Sequence, residues 1–526
     1  GTMGCGQVSQ TAKDGRYSLF STDMEQIALD IAGTYGNDLI VDIPRLRKEN
    51  PRLDLAYEIA EKNHFMHWEL EFADLFAERG GFDLIIGNPP WVKMTWNEQS
   101  VLSDKYPMFA VKRLTAAETA RHRVEALKNP VMYELYFDEF ESMSGTQSFL
   151  NASQNYLDLK GQQTNLFKCF LPQAWMFCGN LGVSAFVHPD GVFDDPNGGF
   201  LREKLYSRLR KHFQFTNELK LFPEVDHHMG YSLNVYSNKG TTEFDVISNL
   251  FSALTIDECY TDDGKSFVPG IKNDVGDWEI RGHRYRIVSV GRTELMIFAM
   301  LFDGNKNWKQ ARLPVIHPKD YLDVLKCFVE QENTISALGD DVASSEMWHE
   351  VNDQKKGLII RNVHFPDTKT NAILSGPHIG VGNPLFKTSR RICKLNSDYD
   401  PIDITFVDSN YIQRCNYSIA CDLNTYHAKI TTTPWGNKIN EQYMVCSRKM
   451  LNLSGERTLI TAIIPPGMSY INGIFGMTFL HDTALIAGSM TSIPFDFFLR
   501  VTGKTNGRLD TFSAFPVLKN KIQTSA

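Results

Sequence analysis

The 526-residue sequence predicts an α/β fold over residues 1–245, a connecting region over 246–350 and a mixed α+β region over 351–526. Three observations carry this expectation. The compact apolar run Phe82-Asp83-Leu84-Ile85-Ile86 stands between Gly80-Gly81 and Gly87-Asn88-Pro89-Pro90, the pattern of a buried strand halted by a rigid turn. Strand, loop and helix patterns then alternate as far as Tyr236, which predicts a largely parallel sheet. From residue 355 onward, β-rich stretches between Gly/Pro turns replace that alternation.

Helical apolar spacing occurs at 22–34 and 55–62, and HFMHWELEFADLF at 64–76 adds a run of aromatic and acidic residues. After the strand at 82–86, residues 92 to about 163 read as an inserted, partly helical segment. Within it, TAAETARHRVEALK at 115–128 is rich in helix formers and ends before Pro130. A helix is expected from Asn165 to Phe177, a turn at Gly179-Asn180, a strand from Gly182 to Val187, and a loop holding Pro189, Gly191 and Gly198-Gly199. A basic helix is expected from Phe200 to Lys211, followed by extended segments in FQFTNELKLF and YSLNVYS. Residues 250–340 carry mixed short elements, and the chain closes with an apolar helix from Thr483 to Arg500.

Composition narrows the function. With 42% hydrophobic and 22% charged residues, and with 37 Gly and 22 Pro, the chain is neither collagen-like nor disordered. Its 54 basic and 62 acidic residues give a charge of -8, which excludes coating of nucleic acid or membrane by bulk electrostatics but leaves a local basic face open. The nine cysteines are scattered without a Cys-x-x-Cys pair or a zinc-type Cys/His spacing, and they read as reduced thiols of a cytoplasmic protein. No apolar run approaches the ~18 to 20 residues of a membrane helix, and no secretory pattern opens the chain. The opening GTMGCGQVSQ reads as a cloning remnant or a loop.

The chemistry centres on Asn88-Pro89-Pro90-Trp91. An exocyclic amine on a nucleobase has its lone pair delocalised into the ring, so its attack on a methyl donor needs acceptors that favour a more tetrahedral nitrogen. The Asn88 side-chain oxygen and the Pro89 carbonyl supply two, since proline keeps its C=O while fixing φ. Trp91 offers a flat face to an extruded base, a contact worth ~1 to 3 kcal/mol. No strong base is required. The plainer alternative is that Pro-Pro ends the strand and Trp91 packs in a core.

Gly80 to Trp91, with the preceding His67-Trp68-Glu69-Leu70-Glu71-Phe72, resembles the amino-group adenine DNA methyltransferases. The resemblance is to the large single-chain N6-adenine enzymes of restriction-modification (type IIG and type ISP-like) and phage-defence (BREX- and DISARM-like) systems. Downstream, Asn165 to Phe170, Gly182 to Phe193 and Phe222 to Tyr236 resemble later segments of that family, with Asn165 where an acidic residue is usual. The resemblance implies a Rossmann-like methyltransferase core, transfer of methyl from S-adenosylmethionine to a flipped adenine at Asn88 to Trp91, and double-stranded DNA as partner. Asp83 is the candidate for a cofactor contact. His188 reads as an ordinary loop histidine. His227 and His228 are either nucleotide contacts or loop residues, and with no third ligand nearby no metal site is expected.

A cofactor motif should precede Asn88. The sole upstream G-x-G is Gly4-x-Gly6, with no strand before it. The expectation is therefore a core incomplete on its cofactor side, with the missing part supplied by upstream sequence or by another subunit. By the same resemblance, the region after the core recognises the target sequence. Between Thr368 and Lys394 lie Lys369, Lys387, Arg390, Arg391 and Lys394 and no acid, and Arg500, Lys504 and Arg508 form a second acid-free stretch. Both suit phosphate contacts, which set affinity and register; a solvated surface is the alternative. Arg457, His378 and Trp435 stay undecided between structural and base-reading roles. Two functions stand: a site-specific adenine-N6 DNA methyltransferase, or a DNA- or partner-binding module inactive without its cofactor segment. Cytosine-N4 transfer uses the same loop logic. No acidic pair with Glu-x-Lys points to a nuclease.

Overall fold

A computed structural model describes residues 43–518 apart from Arg113, Glu332 and Ser454. Cys5, Gly4-x-Gly6 and the helix expected at 22–34 lie outside the described residues. The chain divides into two units, Gly1–Gly81 and Phe82–Ala526.

The described part of the first unit is helical: α1 (Ile43–Glu49), α2 (Pro51–Asn63), α3 (Trp68–Glu71) and α4 (Ala73–Arg79). Pro51 opens α2, where its missing N–H costs nothing, and left-handed His64 and Gly80 end α2 and α4. The aromatic-acidic run at 64–76 thus forms two short helices around a stacked Trp68–Phe72 pair.

The second unit is built on a six-stranded sheet of β1 (Phe82–Gly87), β2 (Cys178–Pro189), β3 (Leu209–Thr216), β4 (Gly230–Tyr236), β5 (Glu243–Leu250) and β6 (Val288–Gly291). The order is β1-β2-β4-β3-β5-β6. The expected largely parallel sheet is corrected to a mixed one. β1–β2 and β3–β5 are parallel, while β2–β4, β3–β4 and β5–β6 are antiparallel. The cause is the link from β3 to β4. It holds one 3-10 turn, Asn217–Leu219, and no long crossover helix, so β4 returns beside β3 in the opposite sense.

Between β1 and β2 lie α5 (Glu98–Ser103), α6 (Met108–Val111), α7 (Ala116–Ala126) and α8 (Pro130–Asn151), the helices of the expected insertion, then α9 (Leu166–Phe177). α7 begins with a capping box in which Thr115 and Glu118 each accept from the other's backbone N–H. The insertion has its own small core of Leu102, Phe109, Ala126, Met132 and Tyr136.

The expected basic helix from Phe200 to Lys211 is corrected as well. The helix α10 stops at Tyr206 (Gly199–Tyr206), and Lys211 belongs to β3. Strand pairing on both edges of β3, including the Lys211–Asp245 ion pair across to β5, outweighs the helical look of its charged residues.

The remaining strands are β7 (Val342–Ser345), β8 (Ile359–His364), β9 (Ile373–Leu374), β10 (Lys387–Ser389), β11 (Tyr399–Pro401), β12 (Cys415–Ile419), β13 (Met444–Arg448), β14 (Thr461–Ile464), β15 (Ser469–Tyr470) and β16 (Ile474–Phe479). A four-stranded sheet runs β14-β13-β16-β7, and β8–β12, β10–β11 and β9–β15 pair in twos. The closing helix expected at 483–500 is two helices, α11 (Thr483–Met490) and α12 (Ile493–Val501), bent by 66°. Pro494 at the start of α12 lacks the N–H that a continuous helix needs. Among the described residues no single helix is long and apolar enough to cross a membrane.

One core joins the sheet to the C-terminal part. Phe167, Phe186, Phe193, Leu205, Tyr206 and Phe244 share it with Phe475, Met477, Phe495, Phe498, Phe512 and Phe515. Each such fully buried side chain contributes about 1.5–3 kcal/mol. The expected division at 245/246 falls inside β5. A second core, including Ile373, Tyr417, Tyr426, Met444, Ile464 and Tyr470, fills the C-terminal sheets.

Four histidines are buried neutral in these cores. Burial holds His188, His212, His317 and His378 at about 4, against an ordinary 6.5. His188 fits only one proton: Nδ1 donates to the Pro189 carbonyl (2.9 Å) while Nε2 accepts from Asn234 Nδ2 (3.0 Å). A folded-state value lowered in this way contributes stability that is whole above about pH 6.5 and lost as pH falls through about 4, up to about 3 kcal/mol per histidine. Urea unfolding between pH 7.5 and 4.5 should therefore show stability dropping by several kcal/mol. A flat profile across that window would contradict the burial of these rings.

Candidate functional site

β1 runs parallel to β2, with Leu84 opposite Val183 and Gly87 opposite Phe186. Gly182 allows the close approach, since a Cβ there would lie 2.5 Å from the Phe82 carbonyl oxygen. The strand ends in Asn88, exposed, Pro89, buried, Pro90, exposed, and Trp91, half-buried. Among the described residues the Asn88 side chain makes no hydrogen bond, so its oxygen remains an available acceptor.

Trp91 is held from three sides. Its Nε1 donates to the Val187 carbonyl (3.3 Å), and its ring lies 5.4 Å from Phe222 and 5.8 Å from Tyr231. Phe222 meets Tyr231 edge-on at 4.9 Å, and Tyr231 stacks on Phe215 at 5.4 Å. Part of the indole therefore packs in a core, as the plainer alternative has it, and the rest stays accessible. Phe222 and Tyr231 both come from the segment Phe222 to Tyr236.

The chain beyond Trp91 is pinned. Leu166 N donates to Val92 O (3.0 Å) and Met94 N to Thr164 O (3.2 Å), and Gln147 Nε2 of α8 bonds Met94 O. Asn165, 8% exposed at the start of α9, keeps its Oδ1 buried without a hydrogen-bond partner beside this loop.

Behind the loop lies a polar network between β2, β3 and β4. Asn234 joins His188 to His212, with His212 Nδ1 at 2.7 Å from Asn234 Oδ1, and His188 Nε2 also meets the Tyr236 hydroxyl at 3.0 Å. Burial pushes the Asp190 carboxyl up to about 6, with its Oδ1 unpartnered and 3.9 Å from His212 Nε2. The expectation of a loop position for His188 is corrected: it is a fully buried strand residue. The period-two alternation of Gly182, Ser184, Phe186 and His188 on the buried face was the signal for it.

The expectation that His227 and His228 lack a third ligand is also corrected. Glu218, ten residues away from His228, brings its Oε1 to 3.0 Å from His228 Nδ1, and ligand atoms of Glu218, His227 and His228 all lie within 4.8 Å of one another.

The two basic stretches fold differently. Lys387, Arg390, Arg391 and Lys394 share the β10–β11 hairpin, three of them exposed in its loop, whereas Lys369 sits in the separate 3-10 turn Lys369–Asn371. Arg390 pairs with Asp400 (2.9 Å), and Asp398 accepts from the backbone of Lys394 and Leu395. Arg500, Lys504 and Arg508 meet Asp496 (3.5 Å), Asp510 (3.0 Å) and Glu346 (3.5 Å), so a stretch without acids in sequence is matched by acids in space. Arg457 donates to the Thr491 and Ser492 carbonyls and faces Asp496, a structural set of contacts. His378 is buried on the Arg414 carbonyl.

Asp83 is exposed on β1, five residues before Asn88. Among the described residues no Gly-rich strand-to-helix turn precedes β1, and the strand's one sheet partner is β2.

The strand β1 thus leads into an unengaged amide side chain and an aromatic ring braced by Phe222 and Tyr231. Residues 15–117, which span β1 and Asn88 to Trp91, match the Eco57I restriction-modification methylase family. No curated protein matches the chain. Among solved structures, it is similar to the methyltransferase subunit of a type I restriction-modification system from Streptococcus thermophilus, with 15% identity over 33% of this chain and 27% of that one and a TM-score of 0.18. It is also similar to the type IIL restriction-modification enzyme MmeI in complex with DNA, with 9% identity over 84% of this chain and 48% of that one and a TM-score of 0.37. For the type IIG restriction endonuclease BpuSI the values are 11%, 71%, 45% and 0.26. The chain spans less than half of the length of each of the three. Superpositions this loose lend no residue to the site.

Proposed function

We propose that the protein is a site-specific adenine-N6 DNA methyltransferase of a restriction-modification or phage-defence system. The observation that carries the reading is the pairing, within the matched segment, of the unengaged Asn88 acceptor with the braced Trp91. An adenine rotated out of the duplex would lay its face against the accessible part of Trp91 and direct its amine at Asn88 Oδ1 and the Pro89 carbonyl. Those two acceptors draw the amine hydrogens out of the ring plane, which frees the nitrogen lone pair for attack. S-adenosylmethionine, when bound, would supply the electrophilic methyl group. The nitrogen gains the methyl as the carbon–sulfur bond breaks, and the surplus proton leaves to solvent. The exposed hairpin loop with Arg390, Arg391 and Lys394 suits phosphate contacts that fix the register of the duplex, in keeping with a target-recognition role for 351–526.

A second reading is favoured by one observation. Among the described strands β1 is the last of the sheet, and its Leu84 and Ile86 are 58% and 71% exposed. Exposed apolar side chains on a terminal strand of an α/β sheet suit a covering segment on the cofactor side. On this reading the chain alone is a DNA- or partner-binding module. Calorimetric titration with S-adenosylmethionine separates the two: heat of binding from this chain alone supports the first reading, and binding that needs an added upstream segment or subunit supports the second. Transfer of labelled methyl to DNA, followed by base analysis, tests the chemistry. N6-methyladenine is the expected product, and N4-methylcytosine would overturn the choice of base.

A further inference from the structure

We propose that Glu218, His227 and His228 form a binding site for a single divalent transition-metal ion of the zinc type. The site is independent of the methyl-transfer reading, and it rests on how the loop folds Glu218 back against the adjacent pair His227-His228. Glu218 sits in the 3-10 turn that ends β3, and the two histidines stand just before β4. Their ligand atoms lie within 4.8 Å of one another, and Glu218 Oε1 is 3.0 Å from His228 Nδ1. Two ligands each ~2.0 to 2.1 Å from a tetrahedral zinc are ~3.3 Å apart, so this pair is already close to the spacing that a shared ion requires. The rings of His227 and His228 lie 3.8 Å apart at 43°, close enough for both to reach the same ion.

The loop holds this arrangement without help from a metal. Asn217 is fully buried. Its Nδ2 donates to the carbonyls of Phe222 (2.8 Å) and Val225 (2.9 Å), and its Oδ1 accepts from Phe222 N (3.0 Å). Asn217 N donates to Met229 O (3.1 Å), closing the loop at its base, and Asp226 Oδ1 accepts from His228 N (2.8 Å). Ligand backbones fixed in advance lower the ordering cost of binding. Two imidazoles and one carboxylate prefer Zn²⁺, Co²⁺, Ni²⁺ or Cu²⁺ over Mg²⁺ or Ca²⁺, which favour oxygen-only sets. Both histidines are exposed, so water completes the coordination. The same loop carries Phe222 against Trp91, so the ion would brace one wall of the aromatic nest.

The test titrates the full chain with Zn²⁺ by calorimetry and with Co²⁺ by visible absorption, beside Glu218→Gln, His227→Gln and His228→Gln. One ion is expected, with a nitrogen/oxygen ligand-field spectrum free of thiolate charge transfer. Each substitution should weaken binding by at least about tenfold, since even outer-shell changes cost ~10 to 100-fold at metal sites. Equal binding by wild type and variants would place the metal elsewhere, on cysteines for instance, and sink the proposal, as would no binding by wild type. Metal-free melting of each variant guards against misfolding. His227 is exposed, so His227→Gln keeps the test decisive if Glu218→Gln unfolds.

Discussion

Asn88→Ala is expected to lower methyl transfer by ~100-fold or more while leaving DNA affinity within about twofold of wild type; removal of one preoriented polar group from a transition-state site typically costs ~10² to 10³ in rate. The side chain is exposed and makes no hydrogen bond among the described residues, so its loss should change folding stability by no more than ~0.5 kcal/mol. What disappears is an acceptor for the amine as its nitrogen turns tetrahedral, an interaction stronger in the transition state than in the ground state. Pro89→Ala should cost less, because alanine keeps the carbonyl and gives up only the restriction on φ. Labelled methyl incorporation, assayed with whatever cofactor segment the chain requires, checks the first effect, and a gel-shift titration checks the second. Full activity in Asn88→Ala would remove the loop from catalysis.

Asp496→Ala is expected to destabilise the Phe82–Ala526 unit by about 3–5 kcal/mol, the usual cost of deleting one partner from a buried charged network. Asp496 is 6% exposed. Its Oδ1 accepts from the backbone N–H groups of Thr458 (2.8 Å) and Leu459 (2.6 Å), and Arg457 and Arg500 stand 3.4 and 3.5 Å from its carboxylate. Alanine leaves two buried donors unmet and two guanidinium groups without their counter-charge. The residue lies on α12, whose Phe495, Phe498 and Leu499 belong to the core shared with the six-stranded sheet, so the loss should register in global unfolding. Urea denaturation with an unchanged slope and a lowered midpoint is the expected record. Asp496→Asn keeps an acceptor and should fall between wild type and alanine; equal stability of all three would show that the carboxylate contributes nothing to folding.

How much of this was legible in the sequence depended on the range of the interaction. The position of β1 and of the Asn88 to Trp91 turn could be read because an apolar run, two glycines and two prolines act within a few residues, but the expected burial of the strand is corrected: Asp83, Leu84 and Ile86 are exposed, since β1 is the last described strand of the sheet. The helix at 116–126 was announced by its run of helix formers before Pro130, and in the structure a Thr115/Glu118 capping box starts it. LRKHFQFT at 209–216 was misread, since its charges look helical until β4 and β5 pair on either side of it. The acid-free look of 497–508 was equally local: the acids that meet Arg500, Lys504 and Arg508 lie at 496, 510 and 346.

The sequence by itself determined the strand Phe82–Gly87 and the rigid Asn88 to Trp91 turn that follows it, because covalent neighbours and backbone restriction suffice to define both. Tertiary structure alone decided the antiparallel insertion of β4, the burial of His188 as a neutral ring, the bracing of Trp91 by Phe222 and Tyr231, and the meeting of Glu218 with His227 and His228. Each of these joins residues from different elements. Such contacts form only when hydrogen-bonded pairing and the burial of apolar surface, summed over the whole fold, outweigh what any one segment prefers locally.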